Sequence, residues 1–150
     1  MLDELDVGIL NLLQQDGKLT IKDITKKLKL TSTPIHERIK RMEKQGVIQG
    51  YRAIVDPEKV AKSQTVLLSL HMEPYNPRNI SSFEKLVIKM PQVLECYHLA
   101  GTIDYHLKIV VKDIKEYDTF LMQIAKVSYV SVVSSSIVLH QVKQTTYIHL

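Results

Sequence analysis

The chain is poor in residues that cross-link small proteins or anchor proteins in membranes. It has one cysteine among 150 residues, so no disulfide can form within the chain, and it has no tryptophan. No apolar run approaches the roughly 20 residues that a membrane-spanning helix needs. The opening residues MLDELD are acidic and lack the basic-then-apolar order of a signal peptide. We therefore expect a cytoplasmic protein with a reduced thiol and no membrane partner.

The sequence also lacks the patterns that accompany common enzymatic chemistry. It contains no His-Glu-x-x-His, P-loop, Gly-x-Ser-x-Gly or Cys-x-x-Cys segment. Four of the five histidines in the second half fall on or near predicted strands without the spacing of metal ligands: His71, His98, His106 and His140. Histidines of this kind more often lie at a packing surface or in solvent. We expect no catalytic residue, no metal and no cofactor.

Positive charge is concentrated in one part of the chain. The formal net charge is +4, but residues 18–52 carry ten Lys or Arg against three acids, a local excess of +7. Residues 64–150 carry eight against seven and are nearly neutral. A basic segment of this size is typical of a module that binds nucleic-acid phosphates, although a solvated helical face would have the same composition.

The first third of the chain has the periodicity of three short helices. Apolar stripes at helical spacing fall within residues 2–15, 21–28 and 35–42. Thr20 is placed to cap the second helix, and Pro34 suits the first turn of the third. Only Lys29, Leu30 and Thr31 join these two helices. The pattern predicts an N-terminal helix-turn-helix domain, winged-helix-like, over residues 1–52.

The third helix has one apolar face and one face of hydrogen-bonding side chains. A helix-turn-helix inserts the start of such a helix into the major groove, where its side chains contact base edges. We predict eight DNA contacts: Thr20, Thr31, Ser32, Thr33, His36, Glu37, Lys40 and Arg41. Glu37 and Lys40 suit base edges, whereas Thr20, Thr31 and Ser32 suit phosphates. An ordinary helical hairpin with a solvated face remains the alternative.

The second half alternates between strand and helix patterns. Strands are predicted over residues 65–73, 93–99, 105–111 and 130–142, and helices over 80–90 and 114–126. The order β-α-β-β-α-β is that of a ferredoxin-like domain, here residues 64–150, with two helices on one face of a four-stranded antiparallel sheet. Residues 47–55 are predicted to be extended, and 53–63 to form a linker strand or hinge. The fold class is therefore α+β.

Several short motifs occur together in the first half. They are Leu2-Asp3 with Asp6, Ile9-Leu10, Leu13-Gln14 with Asp16-Gly17, Leu30-Thr31-x-Thr33, Arg38-Ile39-x-Arg41, and Glu43-x-x-Gly46-Val47-Ile48-x-Gly50-Tyr51. With this set the chain resembles the Lrp/AsnC (feast/famine) family of transcription regulators over almost its whole length. The resemblance implies sequence-specific binding to double-stranded DNA. It also implies a homodimer that assembles further, often into an octamer.

The resemblance further implies a site for an amino acid or related metabolite, where the turn between the second and third strands meets a neighbouring subunit's last strand. The family's Gly-x-x-Asp-Tyr motif is present here at residues 101–105. Amides near the glycine suit a carboxylate, and the aspartate suits an α-ammonium. Hairpin-turn residues need no ligand, so that alternative stays open. We predict effector contacts at Gly101, Thr102, Asp104, Tyr105, Ser134 and Ser136.

Two features depart from the family pattern. A Gly-Val pair followed by Thr-x-Thr is usual at the last strand, whereas this chain has Tyr129-Val130 and then Ser134-Ser135-Ser136. A pocket there would be narrower, differently selective or closed. Two alternatives to an effector-controlled regulator therefore stay open, a metabolite-sensing assembly module and a ligand-independent DNA architectural protein. A third alternative, RNA binding by the sheet, lacks clear aromatic candidates on the strands.

Overall fold

The computed structural model describes residues 1–150, which divide into two compact units. The helical unit contains residues 1–54 together with 143–150, and the sheet unit contains residues 55–142. The sequence prediction placed residues 143–150 in the second domain. They group with the helical unit because the Gln14 amide side chain exchanges two hydrogen bonds with the Ile148 backbone, at 3.0 and 2.7 Å. The Tyr147 hydroxyl also donates to Asn11 Oδ1 at 3.0 Å.

The helical unit is built from three helices around a small core. Helix α1 spans Glu4–Gln15, α2 spans Ile21–Leu28 and α3 spans Ser32–Lys44. Five apolar side chains are buried together at their meeting point: Ile9, Leu10, Ile24, Ile35 and Met42. The periodicity of the sequence predicted all three helices, because each needs an apolar stripe to pack against the other two.

Side-chain caps determine where the first two helices begin. Asp3 and Asp6 exchange hydrogen bonds with each other's backbone at the start of α1, and Thr20 and Asp23 do the same at α2. These capping boxes satisfy amides that would otherwise lack partners. The predicted cap at Thr20 is confirmed. Lys29 then takes a left-handed conformation, with φ of 54°, which lets α3 follow after a turn of only three residues.

The segment directly after α3 forms no strand. Residues 49–56 have no regular secondary structure, so the strand predicted over 47–55 does not form within a single chain. The pattern of Val47, Ile48, Ile54 and Val55 is compatible with a strand, but a strand needs a neighbour to satisfy its backbone groups. A single 3-10 turn at Glu58–Val60 precedes the sheet.

The sheet unit has the predicted β-α-β-β-α-β order. Its elements are β1 (Gln64–Met72), α4 (Pro77–Val87), β2 (Val93–His98), β3 (Tyr105–Val111), α5 (Ile114–Ala125) and β4 (Val130–Ile137). The strands form one antiparallel sheet in the order β2-β3-β1-β4. This confirms the ferredoxin-like prediction and the hairpin formed by β2 and β3.

Three element boundaries differ from the prediction by three residues or more, and one of them is the end of α4, at Val87 rather than residue 90. Helix α4 begins at Pro77 rather than residue 80, because the Asn76 side chain caps it and proline is favourable in the first helical turn. Strand β4 ends at Ile137 rather than residue 142. Its partner β1 begins at Gln64, and the last bond along this edge runs from the Val138 amide to the Thr65 carbonyl, so residues beyond 138 have no strand to pair with.

The core of the sheet unit lies between one face of the sheet and helices α4 and α5. Fourteen buried residues form it, including alternate residues of β1 and β3 and the two phenylalanines of the chain. The alternation predicted for β1 is confirmed, since Val66, Leu68, Leu70 and Met72 are all buried. No helix of either unit is long and apolar enough to cross a membrane.

Candidate DNA interface and effector region

Helix α3 presents one uncommitted polar face. Thr33, Glu37 and Lys40 are exposed, and none of them makes a side-chain hydrogen bond within the chain. On the opposite side Ile35 and Met42 are fully buried against α1 and α2. This face is open to a ligand because only the apolar stripe of α3 packs against α1 and α2. The same arrangement leaves donors and acceptors of the kind that recognise base edges pointing to solvent.

Among the five α-helices, only α3 begins without a side-chain cap. Thr31 occupies the N-cap position without a cap hydrogen bond, and the Thr31, Ser32 and Thr33 hydroxyls are exposed. The α3 amides and these hydroxyls are therefore free to meet an anion. Thr20 differs, because its hydroxyl donates to Asp23 Oδ2 and accepts from the Asp23 amide in the capping box.

His36 and Lys40 also border a cavity of about 250 Å³ in the helical unit. Its remaining walls are mostly apolar and come from the end of α1, the start of α2, α3 and the segment after it: Leu13, Gly17, Leu19, Ile21, Ile39, Glu43 and Tyr51. The Tyr51 hydroxyl donates to Glu43 Oε1 at 3.1 Å. Burial, and then the Glu43 carboxylate, raise the pKa of Tyr51, so this phenol stays protonated and keeps donating.

Arg41, like Thr20, is a predicted DNA contact that already has a partner within the chain. Its Nη2 lies 2.7 Å from Asp6 Oδ1 and 2.6 Å from Asp6 Oδ2. The neighbouring Arg38 bonds to Asp6 Oδ1 at 2.8 Å and to Asp3 Oδ2 at 2.6 Å. The Asp6 amide first and the Arg38 guanidinium second hold the pKa of Asp3 below its ordinary value.

Asp6 is the residue of this region that sequence reasoning missed. Its side chain is only 1% exposed, although it carries a charge. The signal was present in the periodicity, because Asp6 precedes Ile9 by three residues and Leu10 by four and so shares their face of α1. An acid on a buried helical face requires a partner of opposite charge.

The turn between β2 and β3 holds two of the predicted effector contacts at its surface. Gly101 and Thr102 are exposed. Asp104 lies where the turn meets the end of β1, and its Oδ2 accepts from the Met72 amide at 2.7 Å and lies 2.8 Å from His71 Nδ1. Both contacts use the same oxygen, which leaves Asp104 Oδ1 available for another donor. Sequence reasoning missed His71, whose partner is set only by the pairing of the strands.

Tyr105 does not face this turn. It is buried in the core of the sheet unit, with its ring stacked on His98 at 4.5 Å and edge-on to Phe83 at 4.7 Å. Its hydroxyl donates to Glu84 Oε1 at 3.2 Å. Burial, and then the Glu84 carboxylate, raise the pKa of Tyr105 far above its ordinary value. Tyr105 therefore contributes packing at the base of the turn rather than a surface for a ligand.

The predicted serine contacts lie apart from the turn within one chain. Ser134 and Ser136 lie in β4 and pair with Ser69 and Leu67, and β4 lies on the opposite side of β1 from β3 and the turn. Both serines are exposed. Tyr129, which departs from the family pattern, packs against the core of the sheet unit. A single chain brings Asp104 and His71 together, but it does not bring either serine to them.

No group of three or more His, Cys, Asp or Glu side chains is arranged to hold a metal ion. The strand histidines have separate partners instead. His71 lies against Asp104, His98 stacks on Tyr105, and His106 Nδ1 lies 3.2 Å from the Ser69 hydroxyl.

Comparison with known families accounts for both units. Residues 2–49 match the model of a winged helix-turn-helix DNA-binding domain, and residues 65–148 match that of the Lrp/AsnC ligand binding domain. The combination defines a transcriptional regulator with one DNA-binding and one ligand-binding domain. The chain belongs to the Lrp/AsnC family.

Individual relatives agree with this assignment. The chain is 36% identical to the leucine-responsive regulatory protein of Haemophilus influenzae over 99% of its length and 90% of the relative's. It is 35% identical to the DNA-binding transcriptional activator DecR of Escherichia coli over 97% of both proteins. These relatives are transcriptional regulators, which is a non-enzymatic role.

Two solved structures have the same fold over nearly the whole chain. An AsnC family transcriptional regulator from Agrobacterium tumefaciens is 37% identical, with a TM-score of 0.90 over 99% of this chain and 97% of that one. A transcriptional regulator from Neisseria meningitidis, solved as a complex with L-Met, is 29% identical, with a TM-score of 0.93 over the same shares. The neighbour's ligand is an amino acid, the class of effector that the sequence predicted.

Proposed function

We propose that this protein binds specific double-stranded DNA sites through α3, with Thr33, His36, Glu37 and Lys40 contacting bases. The observation that carries the proposal is the uncommitted polar face of α3 beside an uncapped helix start. Thr31 and Ser32 contact phosphates there. Thr20 can donate to a phosphate only when its hydroxyl proton turns away from Asp23 Oδ2, its partner in the capping box. The role is binding rather than catalysis, in the cytoplasm, where the single thiol stays reduced.

The DNA proposal is tested by selecting binding sites from random DNA with the full-length protein and then titrating the selected site over a salt series. Replacing Lys40 with Ala should cost about 1–3 kcal/mol of discrimination at one base pair. Lys22 is exposed in the first turn of α2, outside the recognition helix, so Lys22→Ala removes only a positive charge and should weaken all sequences equally. Equal affinity of the wild type for all sequences would identify an architectural protein instead. No binding at low salt would refute the proposal.

We infer that the protein works as a homodimer, which brings two copies of α3 to adjacent major grooves. Large apolar side chains on and after β4 support this, because a single chain leaves them uncovered: Val132, Val133, Ile137, Leu139 and Val142. Further assembly, as far as an octamer, is the extension of the same proposal. Light scattering across a concentration series measures the oligomer, and a monomer at micromolar concentration would contradict it.

We also propose that an amino acid or related small metabolite modulates this assembly through the turn at residues 101–104. The supporting observations are the exposed turn, the free Oδ1 of Asp104, and the L-Met complex of a relative. Ser134 and Ser136 contribute from a neighbouring subunit, and Tyr105 supports the turn from below. A screen of the twenty amino acids by thermal shift and by DNA affinity tests this proposal.

The matched variants for the effector screen are Asp104→Asn and Asp118→Asn. Asp118 is an exposed aspartate of α5 without a side-chain hydrogen bond, so its replacement should leave any response unchanged. Asp104→Asn should abolish the response because it removes the charge that would pair with the α-ammonium. A response of assembly without any effect on DNA affinity would favour a metabolite-sensing assembly module. No response to any amino acid would refute the effector proposal.

A further inference from the structure

A buried charge cluster connects the start of α1 to α3. Asp6 is at the third position of α1, and its Oδ2 accepts from the Asp3 amide at 3.2 Å. The same carboxylate accepts hydrogen bonds from Arg38 and Arg41, which lie one turn apart on α3. The cluster of Asp3, Asp6, Arg38 and Arg41 has no net charge, and its only fully buried member is Asp6.

The two arginines of the cluster differ in how many acids they contact and in how exposed their side chains are. Arg38 Nη1 lies between Asp3 and Asp6, and its side chain is 25% exposed. Arg41 contacts only Asp6, through Nη2, and is 46% exposed. Each guanidinium uses one terminal nitrogen, Nη1 in Arg38 and Nη2 in Arg41, so Nε and the other Nη have no side-chain partner in either residue. The two residues differ in charge balance and exposure: Arg38 contacts two carboxylates, whereas the more exposed Arg41 contacts one and can bind a second anion.

The position of Arg41 on α3 suits a phosphate rather than a base. At 100° per residue it lies about 40° round the helix axis from Glu37 and one turn further along. It is therefore at the edge of the exposed face, close to the side that packs on α1. When a recognition helix lies in the major groove, its edges face the sugar-phosphate backbones that form the groove walls. The planar guanidinium matches a phosphate better than an ammonium does.

The contact with Asp6 restricts the motion of the Arg41 side chain before any DNA binds. A free arginine loses rotamer freedom when it is immobilised at an interface, at a cost of about 0.5–1.5 kcal/mol. Because Asp6 is buried and anchored to the α1 cap, it holds Arg41 Nη2 at a defined place relative to α3. The ordering is completed on folding rather than on binding.

We propose that Asp6 is a positioning residue that holds Arg41 as a preformed contact for a DNA backbone phosphate. Arg38 is the structural arginine of the cluster and makes no DNA contact. The inference rests on the proposed DNA binding by α3. It adds that Arg38 and Arg41, one turn apart, have different roles: Arg38 stabilises the fold and Arg41 binds a phosphate.

The first test measures the salt dependence of DNA affinity for the full-length protein and two matched variants. Arg41→Gln should reduce the slope of log K against log salt by about 0.9, the contribution of one phosphate contact, and weaken all sequences alike. Arg38→Gln should lower the melting temperature but keep the wild-type slope. A wild-type slope for Arg41→Gln would overturn the phosphate contact. A wild type that binds no DNA would instead refute the proposed function.

The second test separates positioning from charge. Arg41→Lys keeps the positive charge, but its three N–H donors share one nitrogen, so it lacks the planar group that can bond Asp6 through one nitrogen and a phosphate through the others. We expect Arg41→Lys to bind about 2- to 10-fold more weakly than the wild type, the range that corresponds to the lost ordering of one side chain. Equal affinity of Arg41→Lys and the wild type would overturn the role of Asp6, and this variant retains the buried carboxylate that folding needs.

A double-mutant cycle with Asp6→Asn completes the design. If Asp6 acts through Arg41, the Arg41→Lys change should lose little or no affinity in the Asp6→Asn background. Additive losses would mean that Asp6 supports only the fold, and they would contradict the inference. The melting temperature of each variant identifies any that is unfolded, and the result for Arg41→Lys alone then decides.

Discussion

The helical unit buries five apolar side chains together, whereas the sheet unit buries fourteen. In the sheet unit a whole face of β1 and β3 packs against two helices, so apolar burial can carry the fold. The helical unit relies more on polar contacts: two capping boxes, the cluster around Asp6 and the docked residues 147–148. A domain with a small core has little stability to lose, and its surface residues therefore contribute to both folding and binding.

The largest expected difference between the units comes from removing one core side chain. Ile24→Ala should destabilise the helical unit by about 2–5 kcal/mol, which is a large share of what so small a core supplies. DNA affinity should fall with it, because α2 and α3 pack through Ile24. Thermal unfolding followed by circular dichroism, together with a DNA titration, measures both effects.

Leu68→Ala is the matched change in the sheet unit, since Leu68 is also fully buried. It should cost a similar free energy but leave the larger core folded at room temperature. Val47→Ala, at a partly exposed position, should change stability by less than about 0.5 kcal/mol. Wild-type melting and DNA affinity for Ile24→Ala would show that the helical unit does not depend on its small core.

Replacing two glycines of the helical unit with alanine should change its free energy of unfolding by smaller amounts, and the two changes should have opposite signs. Gly46 ends α3 with φ of 71°, where an L-residue costs about 1–2 kcal/mol, so Gly46→Ala should be destabilising. Gly8 is inside α1, and a Cβ there would meet Leu28 at an ordinary 3.5 Å. Gly8→Ala should therefore stabilise the unit by up to about 1 kcal/mol. Denaturant unfolding of both variants checks this, and equal signs would contradict it.

The two hydrogen bonds between Gln14 and the Ile148 backbone should add about 1 kcal/mol to the free energy of unfolding of the helical unit. A single net hydrogen bond adds about 0.5–1.5 kcal/mol, and these two lie at an exposed site, where each contributes less. Gln14→Ala should speed amide hydrogen exchange at Ile148 without changing exchange in the sheet unit. Gln15→Ala is the control, because Gln15 is exposed and its side chain bonds to nothing in the chain. If Gln15→Ala gives the same increase, the Gln14 contacts do not hold the segment.

The smallest effect should be the pH dependence that Asp3 gives to the stability of the helical unit. The folded-state pKa of Asp3 lies below its ordinary value of 3.8, so ionised Asp3 contributes stability above about pH 4. That contribution is lost as the pH falls through the depressed pKa. Asp3→Asn should lower the melting temperature slightly at pH 7 and reduce the further loss between pH 5 and about 3. Glu4→Gln, without a side-chain partner, should keep the wild-type acid profile, and identical profiles for both variants would contradict the assignment.

Local patterns predicted most of the secondary structure. The stripes of α1, α2 and α3 and the alternation of β1 each depend on residues two to four positions apart, so they are visible in the sequence. The same reasoning named the exposed face of α3, because its polar residues repeat opposite the apolar stripe. The sequence prediction missed the start of α4, because the residues there have two possible roles. Asn76 and Pro77 also end the preceding segment, and only their cap hydrogen bond shows that they begin a helix.

The site was less predictable than the fold. Tyr105 shares a motif with Asp104, yet β3 alternates its side chains, so one is buried in the core while the other lies at the turn. Ser134 and Ser136 lie in β4, which β1 separates from the turn within one chain, and their positions depend on the pairing of β1 with β4. The DNA and effector residues stay predictions until the variants above are measured.

The sequence by itself determined the order of elements, the basic segment at residues 18–52, the apolar stripes and the polar face of α3. These features depend only on residues that lie close to one another along the chain. Only the tertiary structure decided which charged side chains form ion pairs within the chain and which do not. Asp6 and Arg41 are 35 positions apart, and Gln14 and Ile148 are 134 apart. Contacts at such separations form only when packing brings two elements together, and no local pattern specifies the partner.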